Sequence, residues 1–301
     1  MRMIQPRWFL VILVALIFSS CSPQSSEAEP DSTDHPDSPQ FYIENKGSDT
    51  MVNLALAWAE AYQTSHPEVQ ISVTGGGTGT GIAALINNSV DLANASRAIK
   101  PEEIAAAEQN GVTPIEHVVA RDAIAIIVHP DNPVDQLTIP QISDIYSGKI
   151  NNWSEVGGED RVIVRLSRET NSGTHVYFLE RVLRLGQSDN KTLFALNTLL
   201  LPSSQGITSE VSDNPHAIGY DGLGYVTPDV KVVAVADVDS TDYYLPSAET
   251  VDNGTYPIAR DLYMYTTGEP EQHVQDYLDW LRTPEAQDII LSLGFVPILE
   301  Q

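Results

Sequence analysis

The sequence predicts an α/β protein of about two lobes, and three observations predict it. At 301 residues the chain is long enough for roughly two domains or lobes of ordinary size. A strand, a turn rich in Gly, Ser and Thr, and a helix follow one another three times along it. With Cys21 as the single cysteine, neither an internal disulfide nor a cysteine metal cage is available, so stability rests on a packed core. The chain is 42% hydrophobic and 19% charged, which excludes disorder throughout. A formal charge of −25 repels a phosphodiester backbone and excludes nucleic acid as a partner.

Residues 1–20 have the plan of an export signal. Arg2 and Arg7 precede an unbroken apolar run from Trp8 to Phe18, too short to span a bilayer, which needs about 20 apolar residues. Phe18-Ser19-Ser20-Cys21 resembles a bacterial lipobox with Phe where Leu is usual, so Cys21 is the expected lipidation site. Residues 21–40 then form a spacer: Glu27, Glu29, Asp31, Asp34 and Asp37 face no Lys or Arg, and a segment so polar cannot bury enough surface to fold. From Phe41 onward 36 acidic side chains still face 14 basic ones. The acidity therefore belongs to the folded surface, where it serves solubility.

The first unit starts with the strand-like Phe41-Tyr42-Ile43, turns at Gly47-Ser48-Asp49-Thr50, and continues as a helix over Met51 to Tyr62 with Leu54, Ala57, Trp58 and Tyr62 at helical spacing. In the second, the strand Val69 to Val73 runs into Gly75-Gly76-Gly77-Thr78-Gly79-Thr80-Gly81 and the helix Ile82 to Ile86. The third has Val162-Ile163-Val164, the turn Arg168 through Thr174, and a helix from His175 to Leu185. A helix start leaves backbone N–H groups unpaired and carries about half a positive charge, so an oxyanion is bound there without a free cation. Glycines let the backbone approach and hydroxyls add neutral donors. Any one such turn is equally an ordinary N-cap. Three of them, with Arg168 four residues ahead of Ser172, point to an anion site. None is a P-loop, because no Gly-Lys-Ser/Thr follows the glycines.

These turns, together with Val90-Asp91-Leu92-Ala93-Asn94-Ala95-Ser96-Arg97 and Ile145-Tyr146-Ser147-Gly148-Lys149-Ile150-Asn151-Asn152-Trp153, resemble the substrate-binding proteins of bacterial phosphate ABC transporters. The resemblance runs from about Phe41 to Ile298. It implies a two-lobed periplasmic-binding-protein-like fold of type II, with a ligand cleft between lobes joined by two crossing segments, and inorganic phosphate as cargo for an ABC permease. Carried across, it implies phosphate ligands at Ser48, Thr50, Thr78, Arg168, Ser172, Gly173 and Thr174, with Asp49, Gly79, Thr80, Ser96 and Arg97 completing the expected site. Many relatives have Asp where this chain has Arg97, and that Asp accepts the proton of the bound phosphate. Asp49 is the nearest replacement, with Glu169, Asp91 and Asp221 behind it. The same resemblance implies a monomer, exported and lipid-anchored, without cofactor or metal and without enzymatic activity.

Arg121 to Val128 and Tyr256 to Tyr265 are expected to be the crossings. Lobe one is then 41–125 with 259–301, including a helix over Glu271 to Leu281 and a tail to Ile298, and lobe two is 126–258. Ligands of open α/β sheets sit outside the carboxyl ends of strands, where all three turns fall. The seven histidines show no pair at metal-ligand spacing. His175 beside Ser172 raises a Ser/His hydrolase as an alternative, but there is no Gly-X-Ser-X-Gly elbow. Tyr42, Tyr220, Tyr225 and Trp153 read as core or cleft-wall aromatics, and Asp221 as a turn residue or the partner of an arginine. The rival cargo within the class is another tetrahedral oxyanion: sulfate, molybdate or tungstate.

Overall fold

The computed structural model describes residues 40–298; the expected signal 1–20, Cys21 and the spacer up to residue 39 lie outside the described residues. The elements in the first half of the chain are β1 (Phe41–Gly47), α1 (Val52–Ser65), β2 (Val69–Thr74), α2 (Thr78–Ile86), β3 (Leu92–Ala95), α3 (Pro101–Gln109), β4 (Pro114–Val128), β5 (Gln136–Thr138) and α4 (Ile139–Ser147). There follow β6 (Val164–Arg168), α5 (Gly173–Phe178), β7 (Leu199–Leu201), α6 (Ser204–Asp213), β8 (Ala217–Gly222), β9 (Lys231–Ala236), α7 (Ala248–Asp252), β10 (Ala259–Thr267), α8 (Gln272–Trp280) and α9 (Pro284–Ser292).

The sheet runs β2-β1-β3-β10-β4-β8-β6-β7, with β9 pairing β4 and β5. Its two ends repeat one plan. β2, β1 and β3 are parallel, and β10 is antiparallel to β3; β7, β6 and β8 are parallel, and β4 is antiparallel to β8. The strand β4 belongs to both ends: Pro114 to Ala123 pair with β10, and Ile124 to Val128 with β8. Its last seven residues are all buried, as a strand covered on both faces requires. The two largest apolar clusters divide at the same place. One gathers Ile43, Leu54, Trp58, Leu92, Ala120 and Leu262; the other gathers Ala123, Ile126, Tyr146, Phe178, Tyr220 and Ile258.

The helical spacing read in α1 buries Leu54, Trp58 and Tyr62 as one face. Beyond α8, the expected tail contains a further helix, α9, which Thr283 caps and Pro284 opens. The expected third helix is α5 continued by a π turn over Leu179–Leu183. The third strand begins at Val164 rather than Val162, and carries Arg168 as its last residue; Val162 is 66% exposed. Asp221 lies within β8 rather than in a turn, and Tyr42 is 61% exposed, not a core aromatic, whereas Tyr220 and Trp153 are buried. The motif Ile145 to Trp153 is held by a buried guanidinium: Arg165 donates to the carbonyls of Ile145 and Ile150 and to Asn151 Oδ1.

Candidate functional site

The first turn leaves β1 at Gly47, where φ is +146° and a Cβ would stand 2.2 Å from the carbonyl oxygen of Asn94. Only glycine lets the turn lie against β3, and Ser48 N–H then donates to that same carbonyl at 2.9 Å. The second turn stacks on the first through Gly77 N–H to Gly47 O at 2.9 Å. Thr78 opens α2 beneath the end of β3, where its Oγ1 accepts from the Ser96 N–H at 3.0 Å and meets the Ser96 hydroxyl at 3.2 Å. In the third turn Ser172 caps α5, accepting from the N–H groups of Thr174 and His175. Ser48, Thr50, Thr78, Ser96, Arg168, Ser172 and Thr174 are all buried. Hydroxyls are rarely so buried without partners, and here Ser96 Oγ meets the Thr78 hydroxyl.

Turns from the two ends of the sheet touch. Thr50 Oγ1 and Thr174 Oγ1 are 2.8 Å apart. Gly79 N–H donates to Asn171 O at 3.0 Å, and Asn171 Nδ2 donates to Gly76 O at 2.9 Å. A Cβ on Gly173 would stand 2.4 Å from Thr78 Oγ1 and 2.5 Å from Ser96 Oγ, so the absence of a side chain brings the third turn onto the second.

Arg168 lies beside this cluster. It donates to Ser204 Oγ at 2.6 Å and to Pro202 O at 2.9 Å, and its Nη2 is 3.1 Å from Asp49 Oδ2. Its Nε is buried without an acceptor among the described residues. Asp49 Oδ2 also accepts from Ser204 N–H at 2.9 Å, so this carboxylate sits at the start of α6 rather than capping its own helix. Ser204 Oγ donates onward to Asp221 Oδ1 at 2.9 Å, which makes Asp221 the partner of an arginine through one hydroxyl. Burial pushes the Asp221 carboxyl up to about 6, against the pull of the Arg168 cation. Tyr225 donates its hydroxyl proton to Asp49 O at 2.9 Å.

Three expected site residues are engaged elsewhere. Arg97, expected in the site, makes a two-pronged ion pair with Glu103 instead. The Thr80 hydroxyl donates to Gly76 O, one turn back, and the Gly79 N–H is taken by Asn171 as above. Of the carboxylates held in reserve, Asp91 accepts from Glu44 N–H on another side of the fold, and Glu169 is exposed. The hydrolase pairing with Ser172 is not formed: His175 Nδ1 meets the buried Ser167 Oγ at 3.0 Å, and burial lowers the histidine's pKa.

Sequence reasoning missed Ser204, Asp122 and Arg260. Ser203 and Ser204 are a fourth helix start, legible as a Ser-Ser pair after the turn at Pro202. Asp122 is the lone acid in an otherwise apolar stretch of β4; Arg260, on β10, holds its Oδ2 at 2.8 Å. Burial raises the Asp122 carboxyl even so, against Arg260. Among the described residues no group of three or more His, Cys, Asp or Glu is placed to hold a metal, and no helix is long and apolar enough to cross a membrane.

Two ends of one sheet built on the same plan, sharing β4 and meeting over buried hydroxyls at helix starts, define a two-lobed binding protein of type II. Residues 29–285 match the model of the PBP superfamily domain. The chain is 32% identical to the phosphate-binding protein PstS of Pseudomonas aeruginosa, over 85% of this chain and 83% of that one, and 29% identical to PstS of Bacillus subtilis over 97% and 94%. A Clostridium perfringens protein solved with bound phosphate is similar at a TM-score of 0.75 and 33% identity, covering 86% of this chain and all of that one. The chain belongs to the family of substrate-binding proteins of phosphate ABC transporters.

Proposed function

We propose that this protein binds inorganic phosphate outside the cytoplasmic membrane and delivers it to an ABC permease. The observation that carries this reading is the buried Nε–H of Arg168, without an acceptor among the described residues, beside hydroxyls that come from both ends of the sheet. A buried donor without an acceptor costs about 1–3 kcal/mol, and an oxyanion removes that cost. Ser48, Thr50, Thr78, Ser96, Arg168, Ser172, Gly173 and Thr174 are the ligand set. The lobes are 41–125 with 259–301 and 126–258, and they close on the anion because no one lobe supplies all the donors. The protein acts as a monomeric binder rather than an enzyme, since the histidine nearest the site is paired with Ser167 inside the fold. Titration calorimetry with phosphate, sulfate and molybdate tests the reading: phosphate binds tightest, and absence of phosphate heat refutes it.

Selectivity is assigned to Asp49. Sulfate and monohydrogen phosphate share shape and charge, so donors alone accept both. A carboxylate separates them by receiving the phosphate proton and repelling an unprotonated sulfate oxygen. Asp49 Oδ2 already accepts from the Ser204 N–H and lies 3.1 Å from Arg168 Nη2, which leaves Oδ1 for this task. In Asp49→Asn, phosphate binding weakens and sulfate competition improves; equal changes for both anions leave Asp49 with only its roles at Arg168 and α6.

Lipid anchoring through Cys21, with residues 22–40 as the tether, is the corresponding proposal for location. Two or more acyl chains anchor firmly where one does not. Cys21→Ser moves the exported protein into the soluble fraction, and membrane association that persists in this variant contradicts the anchor.

A further inference from the structure

Arg260 stands where β10 passes between the two ends of the sheet, and four groups hold its guanidinium. Nη2 is 2.8 Å and Nε 3.3 Å from Asp122 Oδ2. Nη1 donates to Ser96 O at 2.8 Å, and Nη2 donates to Thr174 Oγ1 at 2.9 Å. The Tyr177 ring lies 5.5 Å from its central carbon. Asp122, fully buried, is in turn fixed by the Leu223 N–H on Oδ1 at 3.3 Å. The pair thus joins the segment after β3, which carries Ser96, to the start of α5, which carries Thr174.

An arginine has donors and no acceptor, so the direction of the bond to Thr174 is fixed: Oγ1 accepts. Its other hydrogen-bond partner among the described residues is Thr50 Oγ1 at 2.8 Å, a hydroxyl able to act either way. Thr78 is treated alike, since the Ser96 N–H that reaches its Oγ1 is also only a donor. On this basis, and resting on the phosphate reading above, we propose that Arg260, anchored by Asp122, is a positioning residue: it occupies the acceptor side of the Thr174 hydroxyl so that this hydroxyl presents its proton to the anion. Without Arg260 the hydroxyl rotates freely and offers a lone pair to an oxyanion as readily as a proton. The rotation loses a donor from the anion and adds a repulsion, although every residue touching the anion is intact.

The test is a double-mutant cycle on the full chain, read by titration calorimetry with inorganic phosphate. If Arg260 acts through Thr174, Arg260→Met lowers affinity at least tenfold by itself and less than threefold in a Thr174→Val background, because the hydroxyl it orients is already gone. Because Arg260→Met leaves Asp122 buried and unpaired, the neutral pair Arg260→Gln with Asp122→Asn repeats the cycle, with the same loss of additivity expected. Losses that multiply in both cycles, or unchanged affinity in Arg260→Met, overturn the role of Arg260. Phosphate heat from the parent chain separates the two readings: with heat and multiplying losses only the Arg260 proposal falls, and without heat the phosphate reading falls and takes this proposal with it.

Discussion

Arg168→Ala lowers phosphate affinity by about 2–5 kcal/mol, roughly thirtyfold or more, the range for losing one side of a charge-assisted pair in a dry site. Calorimetry reads the loss directly, and a variant that binds like the parent removes Arg168 from the site. The structure adds a second effect. Arg168 is the cation that offsets the buried carboxyl of Asp221, so its removal also destabilises the fold, and in a pH-dependent way. A carboxyl whose folded pKa is raised contributes stability below its unfolded value, near 4, and loses it as pH rises through the folded value, about 6 here. Without Arg168 that value rises further. The melting temperature of Arg168→Ala therefore falls below the parent's by more at pH 8 than at pH 5, and an equal gap at both pH values separates Asp221 from this effect.

Gly173→Ala abolishes tight binding while leaving the fold intact, a loss of on the order of a hundredfold from overlap alone. A methyl there stands 2.4 Å and 2.5 Å from two buried hydroxyls belonging to the second turn and to Ser96. Neither hydroxyl has room to retreat, since Thr78 and Ser96 are themselves 0% exposed. The overlap exists only where the third turn meets the second, so each lobe keeps its own core. Small-angle scattering separates the outcomes: the parent becomes more compact with phosphate, while Gly173→Ala gives one profile with and without it. A variant that compacts like the parent shows that the turns do not need this close approach.

The local units of the fold were legible because each is written in consecutive residues. Gly47 to Thr50, Gly75 to Gly81 and Arg168 to Thr174 announce turns by composition, and Leu54, Trp58 and Tyr62 announce a helix by spacing. The charge network around them was not, because its members are far apart in sequence: Asp49 meets Ser204 across 155 positions and Arg260 meets Asp122 across 138. Arg97 misled for a different reason: its neighbour Ser96 enters the site, but Glu103, only six residues on in α3, draws the guanidinium away. Pairing between distant charges depends on sheet order, and the order β3-β10-β4-β8 is set by strands that no local pattern connects.

The central claim is that one tetrahedral oxyanion is held jointly by turns from both lobes. A crystal grown with arsenate, a heavier tetrahedral analogue of phosphate, tests it most directly through the anomalous signal of arsenic. The account predicts a single peak, with anion oxygens within hydrogen-bond distance of Thr50, Thr78, Ser172 and Arg168 together. A peak bound to one turn alone, or lying away from Arg168, contradicts it.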